Sequence, residues 1–331
     1  MTTLRRVRKA GLAAGLSVLA ALTGCGAAKN PYSIATQKLQ QAARSSAPAA
    51  SSLLVKLKSS ASADGVAQSV GARTVSSFPQ LGMVVLGLPG GTTASRAMAS
   101  LAGNPGVAFA EPNFRMRSRP VPRGTGPTTY RTQIVSSDPG VAQQWGHKAI
   151  DVFGAWDYTL GDPRVVVAVV DTGVDLHHTD LKRQLVAGRT FVSGTSSPMD
   201  DNGHGTHVAG IIGAEMNNSL GIAGVAPKCK LMPVKVLDAK GEGNTSDIVA
   251  GLLYAADSGA RIINLSLGGG SGSKALEEAI KYAHGKGSLV VAAMGNDGKN
   301  VQEFPAAYAG VISVGATGRD NVQADFSNYG Q

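Results

Sequence analysis

The second half of the chain alternates between short apolar runs and helical stretches, and this alternation restricts the fold more than any other feature. The runs are rich in Val, Ile and Leu and are bounded by Gly or charged residues, which is typical of buried parallel strands. They cover residues 165–170, 231–236, 262–267, 289–293 and 311–314, with helical stretches at 206–215, 247–257 and 274–286. The pattern predicts an α/β fold with a doubly wound parallel sheet, whose functional sites lie at the carboxyl ends of its strands.

A smaller pattern precedes it in residues 51–117. Strand-like and helical segments follow each other in the order β-α-β-β-α-β, which predicts a small ferredoxin-like α+β domain. Residues 118–143 are rich in Arg, Pro and Gly and predict an exposed linker. We expect the α/β domain to occupy residues 144–331.

Charge is divided unequally along the chain. Residues 1–150 carry 17 Lys and Arg against 3 Asp and Glu, whereas residues 151–331 carry 14 against 19. This asymmetry favours export and docking of the basic half on the acidic half, and it argues against a nucleic-acid partner.

The N-terminus has the organisation of an export signal. Basic residues at 5–9 precede an apolar run at 10–22 that is shorter than a membrane span, and Leu22-Thr23-Gly24-Cys25 follows. This ending resembles a bacterial lipoprotein box, which implies a signal peptide at 1–24, a lipid on Cys25 and a tether at 25–50. A plain signal peptide with an incidental cysteine is the alternative. We expect an exported protein held at the membrane of the cell envelope or cell surface by the lipid on Cys25, or released after processing.

Two polar residues stand out in the α/β half. Asp171 ends the most apolar run, where an acid is either a functional group of the sheet crevice or a cap. His204 begins a helix with a glycine on each side, and glycines allow another backbone to approach closely. His204 and His207 could also be transition-metal ligands, but no third ligand follows at a convincing spacing. The glycine cluster at 268–272 lacks the Gly-Lys-Ser/Thr ending of a phosphate loop.

Three motifs together resemble the subtilisin family of serine proteases. They are Val-Asp171-Thr-Gly, His204-Gly-Thr-His-Val-Ala-Gly and Ala-Ala-Met-Gly-Asn296, in the family's order and spacing. The resemblance implies that Asp171 orients the imidazole of His204, and that His204 is the general base for a serine that attacks polypeptide substrates. It also implies that the Asn296 amide donates to the developing oxyanion. A turn asparagine in Gly-Asn-Asp-Gly is the alternative for Asn296.

Two further segments resemble the strand edges between which this family holds its peptide substrate as an added β-strand. The implied substrate-binding residues are Ser266, Leu267, Gly268, Gly241, Glu242 and Gly243. Glu242, near the cleft rim, suggests tolerance of basic substrate residues.

A loop in the same half resembles the family's main calcium site. The implied ligands of Ca²⁺ are the Asp180 carboxylate, the Asn218 amide oxygen and the Asp138 carboxylate, with the carbonyls of Met216, Leu220 and Ile222. A capped turn without metal is the alternative.

The end of the smaller domain, Asn104-Pro-Gly-Val-Ala-Phe-Ala-Glu-Pro-Asn-Phe114, resembles the end of the inhibitory prodomain of these proteases. The resemblance implies that residues 51–117 template folding and occupy the substrate cleft with their C-terminal strand. They are then cut off within the linker.

The family's nucleophile lies in Gly-Thr-Ser-x-Ala after the asparagine, and residues 297–331 contain no such segment. Gly194-Thr195-Ser196 precedes His204 and predicts a surface turn. We expect a calcium-dependent subtilisin-like serine endopeptidase that is cut short before its serine and is inactive as these 331 residues. The alternatives are a naturally short pseudoprotease that binds peptides, and a non-proteolytic α/β protein that binds metal or nucleotide.

Overall fold

The computed structural model of the protein describes residues 51–118 and 136–330. The predicted signal peptide, Cys25, the tether and residues 119–135 of the predicted linker lie outside the described residues. Within the described ranges, no helix has the length and apolar character needed to cross a membrane.

Residues 52–112 form a four-stranded antiparallel sheet with two helices. The elements are β1 (Ser52–Leu57), α1 (Ala63–Gln68), β2 (Arg73–Phe78), β3 (Met83–Gly87), α2 (Ala94–Leu101) and β4 (Val107–Pro112), with a 3₁₀ turn at Pro79–Leu81. The strand order β2-β3-β1-β4 is the ferredoxin-like order that the sequence predicts.

The two faces of this small sheet have different partners. Leu53 and Val55 of β1 pack in one cluster with Leu101 of α2. Leu54 lies on the opposite face, because side chains alternate along a strand, and it joins a cluster that contains Ile248 and Leu276 of the α/β domain. The small domain therefore covers apolar surface of the larger one.

The larger domain is built on a six-stranded sheet in which every neighbouring pair is parallel. Its strands are β6 (Val166–Asp171), β7 (Arg189–Thr190), β8 (Lys230–Lys235), β10 (Ile262–Leu265), β12 (Leu289–Ala293) and β13 (Ile312–Val314), in the order β13-β12-β10-β6-β8-β7. The helices are α3 (Trp145–Ala149), α4 (Val152–Trp156), α5 (His204–Gly213), α6 (Thr245–Asp257) and α7 (Lys274–Gly285), after a 3₁₀ turn at Val141–Gln143.

Helices cover both faces of this sheet. On β6, Ala168 and Val170 belong to the cluster that contains residues of α6 and α7, whereas Val167 and Val169 belong to the cluster with Ala209 of α5. Burial on both faces explains the unbroken apolar run. The chain leaves β6 on one side and returns on the other as β10, so the crevice at the carboxyl end of β6 is a topological switch point.

A third sheet contains the strands around which the site is built. The order is β11 (Leu267–Gly268), β5 (Arg115–Ser118) and β9 (Glu242–Asn244). The apolar run at 262–267 thus breaks at Ser266 into two strands. β5 is a strand although its composition is that of the neighbouring linker, because it pairs antiparallel with strands on both sides.

Candidate active site

Asp171 lies at the carboxyl end of β6 with its side chain fully buried. Its Oδ1 accepts hydrogen bonds from the backbone N–H of Thr172 and pairs with Nδ1 of His204, both at 2.7 Å. Its Oδ2 has no hydrogen-bond partner among the described residues. A carboxylate in this position fixes one ring nitrogen of the histidine and leaves the other, Nε2, able to accept a proton.

His204 is held at the start of α5 by unusual backbone geometry. Gly203 precedes it with φ of 100°, a conformation that favours glycine. A Cβ at position 205 would collide with the carbonyl of Gly173, and the Gly205 N–H donates to Thr172 Oγ1 at 2.9 Å. The glycines around His204 therefore let the helix start pack directly against the segment that follows Asp171.

The pKa of His204 is raised above its ordinary value. Burial acts in the opposite direction by penalising the charged ring, but the hydrogen bond and charge of Asp171 outweigh it, with a smaller contribution from Asp200. The site thus stabilises the imidazolium that forms when His204 takes a proton.

Asp200 supports this pair and was not identified from the sequence. Its carboxylate accepts hydrogen bonds from Thr172 Oγ1 at 2.9 Å, from the Gly203 N–H at 3.0 Å and from the Thr206 N–H at 2.9 Å. Burial works to raise the pKa of Asp200, but hydrogen bonds from the Thr206 hydroxyl and from the N–H groups of Gly203, Asn202 and Thr206 outweigh it and lower the pKa. Its position four residues before His204, ahead of a loop that enters a helix, was the available signal.

Lys235 was also missed, because it lies within an apolar run. Its side chain is buried at the end of β8 and its register partner is Asp171. The Nζ donates to the carbonyls of Thr172 at 2.6 Å and Leu237 at 3.0 Å, and to the Asp201 carboxylate at 2.6 Å. One ammonium group thereby joins three segments of the site.

Asn296 follows β12, in a turn that Gly295 enters with φ of 101°. Asn328 fixes this turn: its Oδ1 accepts from the Asp297 N–H at 2.9 Å, and its N–H donates to the Gly295 carbonyl at 3.0 Å. Because β12 pairs parallel with β10 and β10 with β6, Asn296 lies at the same edge of the sheet as Asp171.

The substrate-binding segments expected from the sequence flank β5. Leu267 and Gly268 pair with Ser118 and Arg117 on one side. Glu242 and Gly243 pair with Arg117 and Met116 on the other side, and the Ser118 N–H donates to the Gly241 carbonyl at 2.7 Å. Ser266 joins β10 to β11. The end of the small domain thus lies as an added strand between these two edges.

The small domain also caps two helices of the larger one. Glu111 accepts from Ser273 Oγ at 2.6 Å, and from the N–H groups of Lys274 and Ala275 at 2.8 and 3.0 Å, at the start of α7. Asn113 accepts from the Ser246 N–H at 2.9 Å at the start of α6. Burial raises the pKa of Glu111, although these hydrogen bonds act to lower it.

The residues expected at a calcium site converge on one loop. Asp138 accepts from the N–H groups of Asn217 at 2.7 Å and Asn218 at 3.0 Å. Asp180 accepts from the Asn218 amide at 2.7 Å and from the Ile222 N–H at 3.0 Å. Both carboxylates are buried, and within the described ranges neither is within ion-pair distance of a Lys or Arg. Carboxylate and amide oxygens are ligand types of hard cations. Here the carboxylates accept from N–H groups, and the Asn218 Oδ1 accepts from the Leu220 N–H at 2.8 Å.

His207 is exposed on α5, whereas the side chain of His204 is 12% exposed. In the part of the chain that the structure describes, no three or more His, Cys, Asp or Glu side chains form a group able to hold a metal ion. Thr195 Oγ1 donates to the Val192 carbonyl at 2.8 Å in an exposed turn.

Comparison with known proteins assigns the chain to one family. Residues 162–331 match the Subtilase family, peptidase S8, and residues 35–113 match the fervidolysin N-terminal prodomain. The chain therefore belongs to the subtilase family.

Its relatives include characterised proteases. The chain is 45% identical over 231 residues to a thermophilic serine proteinase of Bacillus sp. strain AK1, covering 70% of this chain and 54% of that protein. It is 46% identical over 189 residues to thermitase of Thermoactinomyces vulgaris, covering 57% of this chain and 67% of thermitase. The chain thus spans about half to two thirds of the length of these relatives.

A solved structure shares both domains. Fervidolysin from Fervidobacterium pennivorans, a keratinolytic enzyme related to subtilisin, superposes with a TM-score of 0.72 at 30% sequence identity. The alignment covers 82% of this chain and 44% of fervidolysin.

Proposed function

We propose that this chain supplies the acid, the base and the oxyanion donor of a serine endopeptidase that cleaves polypeptides. The observation that carries the proposal is the 2.7 Å contact between Nδ1 of His204 and Oδ1 of Asp171 at the switch point of the sheet. The peptide-binding edges on both sides of β5 support it.

In this proposal Asp171 holds the proton on Nδ1 of His204, so that Nε2 is free to accept one from a serine hydroxyl. The transfer leaves an imidazolium beside a buried carboxylate, the state favoured by the raised pKa of His204. The Asn296 amide donates to the oxygen that gains negative charge when the peptide carbonyl is attacked, a contribution of about 3–4 kcal/mol in enzymes of this type.

The serine is the part that these residues do not supply. No Gly-Thr-Ser-x-Ala segment follows Asn296 within residues 297–331. We therefore propose that the 331-residue polypeptide alone does not hydrolyse peptides.

The same proposal assigns residues 51–117 an inhibitory role. β5 fills the path that a peptide substrate takes between β9 and β11, so substrate cannot pair with those edges until β5 leaves. A cut within the predicted linker, residues 118–143, would separate the two domains.

Calcium is proposed to bind at the loop 216–222. Asp138, Asp180 and the Asn218 amide oxygen would hold it, with the carbonyls of Met216, Leu220 and Ile222. Bound calcium supplies positive charge opposite two buried carboxylates and ties residue 138 to the loop.

We also propose that the protein is exported. The proposed signal peptide and the lipid on Cys25 would hold the protein at the cell envelope, with the tether between the lipid and the folded domains. Radiolabelled fatty acid incorporation that Cys25→Ser abolishes is the expected result, and incorporation that survives Cys25→Ser contradicts the anchor.

The test of catalysis is casein hydrolysis by the product of the complete reading frame. His204→Ala is expected to abolish hydrolysis, whereas His207→Ala, a change of the same kind three residues along the same helix, retains it. Equal activity of the His204→Ala variant contradicts the proposal. If the complete reading frame contains no serine segment, and its stable product binds peptides without cleaving them, the pseudoprotease alternative is favoured.

A further inference from the structure

The two arginines of β5 lie against acidic side chains of the cleft wall. Arg115 Nη2 is 3.0 Å from Glu242 Oε2 and 3.8 Å from Asp238 Oδ2. Arg117 Nε is 3.1 Å from Glu242 Oε1. Glu242 therefore contacts both arginines, one with each carboxylate oxygen.

Strand alternation explains why the arginines share these partners. Residues two apart on a strand point to the same side, so Arg115 and Arg117 point together toward the rim. Met116 between them is buried in the main apolar cluster. β5 thus presents a basic, apolar, basic pattern to the cleft.

The turn that carries the two acids is closed by its own hydrogen bonds. Asp238 Oδ1 accepts from the N–H groups of Lys240 at 2.9 Å and Glu242 at 3.0 Å. The Asp238 N–H donates to the Glu242 carbonyl at 2.9 Å. These bonds fix the Asp238 carboxylate and the backbone of Glu242, whose side chain then reaches both arginines.

We propose that Asp238 and Glu242 form an acidic rim that selects substrates with Lys or Arg at the two positions occupied by Arg115 and Arg117, separated by an apolar residue. The inference rests on the proposed function, since it names the substrate class of the same cleft. A substrate strand pairs with β9 and β11 as β5 does, and its side chains at those positions meet the same carboxylates.

The expected effect is moderate because the pairs are partly exposed. The side chains of Arg115 and Arg117 are 46% and 71% exposed, against 35% for Asp238 and 29% for Glu242. Exposed ion pairs of this kind contribute at most about fivefold each to an equilibrium. Two basic residues should therefore raise kcat/KM about tenfold, with the advantage shrinking at high salt.

The first experiment compares two peptides with a common leaving group, one containing Arg-Met-Arg-Ser and one containing Gln-Met-Gln-Ser. The enzyme is the mature product of the complete reading frame. We expect kcat/KM to favour the basic peptide about tenfold at low salt, and Glu242→Gln to reduce that ratio to about threefold or less. Asp162→Asn is the matched control, because Asp162 forms an exposed pair with Arg164 ahead of the amino end of β6. It should leave the ratio unchanged.

Charge reversal sharpens the test. Glu242→Lys should favour a Glu-Met-Glu-Ser peptide over the basic one. A wild-type ratio near one at low salt, or a ratio that Glu242→Gln does not change, overturns the acidic rim while leaving catalysis intact.

A second readout needs no catalysis. In the 331-residue chain, trypsin should cut after Arg115 and Arg117 several-fold faster in Glu242→Gln than in Asp162→Asn. Equal trypsin cleavage rates in the two variants overturn the acidic rim. If the variants differ in trypsin cleavage but the mature product of the complete reading frame does not hydrolyse peptides, the rim stands and the proposed function is contradicted.

Discussion

At the scale of single residues, the groups around the His204 ring set its pKa and therefore the pH at which it can accept a proton. The imidazole is 12% exposed. Asp171 is hydrogen-bonded to Nδ1, and in the proposed mechanism Nε2 faces the cleft. The neutral fraction of the His204 ring increases as the pH rises through its pKa. Because that pKa is raised, the increase takes place at higher pH than for an ordinary histidine. Activity that needs a neutral base must rise over the same range.

Asp171→Asn should change both the rate and the pH profile. The loss of the charge and hydrogen bond that raise the pKa of His204 should shift the rising limb of kcat/KM to lower pH. The rate should fall on the order of 10⁴-fold, because an amide favours the wrong tautomer. Peptide hydrolysis across a pH series measures both, and an unchanged profile contradicts the role of Asp171.

Lys235→Met should destabilise the protein without touching substrate. The change removes three hydrogen bonds of a buried ammonium and leaves the Thr172 and Leu237 carbonyls without this donor. We expect the free energy of unfolding to fall by about 2–4 kcal/mol. Asp201→Asn is the control and should cost less, because the Asp201 side chain is half exposed and can bind water. Urea unfolding measures the difference, and equal stability of Lys235→Met and wild type contradicts the account.

The sequence identifies residues that end a pattern better than residues within one. Asp171 and His204 interrupt apolar or glycine-rich segments, so their chemistry is visible in the sequence. Lys235 lies within the apolar run that includes Val-Lys-Val-Leu, and only the tertiary structure brings the Thr172 carbonyl and Asp201 to it. The roles of Asp171, His204 and Asn296 remain predictions until variants are measured.

At the scale of elements, the contact between the small domain and α6 and α7 is made by side chains of the small domain that act as helix caps. Helix N-termini carry unpaired N–H groups and partial positive charge. Glu111 and Asn113 satisfy these groups from another part of the chain. Docking of the small domain therefore stabilises two helices of the α/β domain.

Glu111→Ala should lower the free energy of unfolding by about 1–2 kcal/mol, the usual cost of losing a cap. Glu111→Gln, which retains one acceptor oxygen, should cost less. Lys56→Met is the control at the same contact, because Lys56 makes a partly exposed ion pair with Glu278 and such pairs contribute about 0–1 kcal/mol. Thermal unfolding ranks the variants, and a larger loss in Lys56→Met than in Glu111→Ala contradicts the capping role.

Calcium should stabilise the fold through the loop 216–222. A chelator should lower the Tm of the wild type, and ligand in hundredfold excess over its Kd contributes about 2.7 kcal/mol. Asp180→Asn should abolish the calcium-dependent shift, and Asp162→Asn should preserve it. Calorimetry with calcium and with chelator measures the shift, and a Tm that is identical in both conditions for the wild type contradicts the site.

Elements with strong local patterns are predicted well, and those made by tertiary pairing are not. β12 matches the expected 289–293 at both ends. Arg115–Ser118 has no strand pattern of its own, so only the family resemblance predicts a strand there. Its strand structure comes from pairing with β9 and β11, which lie more than a hundred residues away.

At the scale of the whole molecule, the chain combines a proposed catalytic edge with a strand that blocks it. The basic first half and the acidic second half meet at the rim formed by Asp238 and Glu242. The charge asymmetry of the sequence thus has a local counterpart in the structure. Under the proposed function, β5 has to leave before a substrate can enter.

Self-processing tests this account most directly, because it needs the catalytic pair, the blocked cleft and the linker together. The product of the complete reading frame is expressed as wild type and as His204→Ala, and mass spectrometry locates new N-termini. We predict that the wild type is cut within the linker 118–143 and that His204→Ala remains uncut. Cleavage of His204→Ala at the same bond and rate would contradict the account.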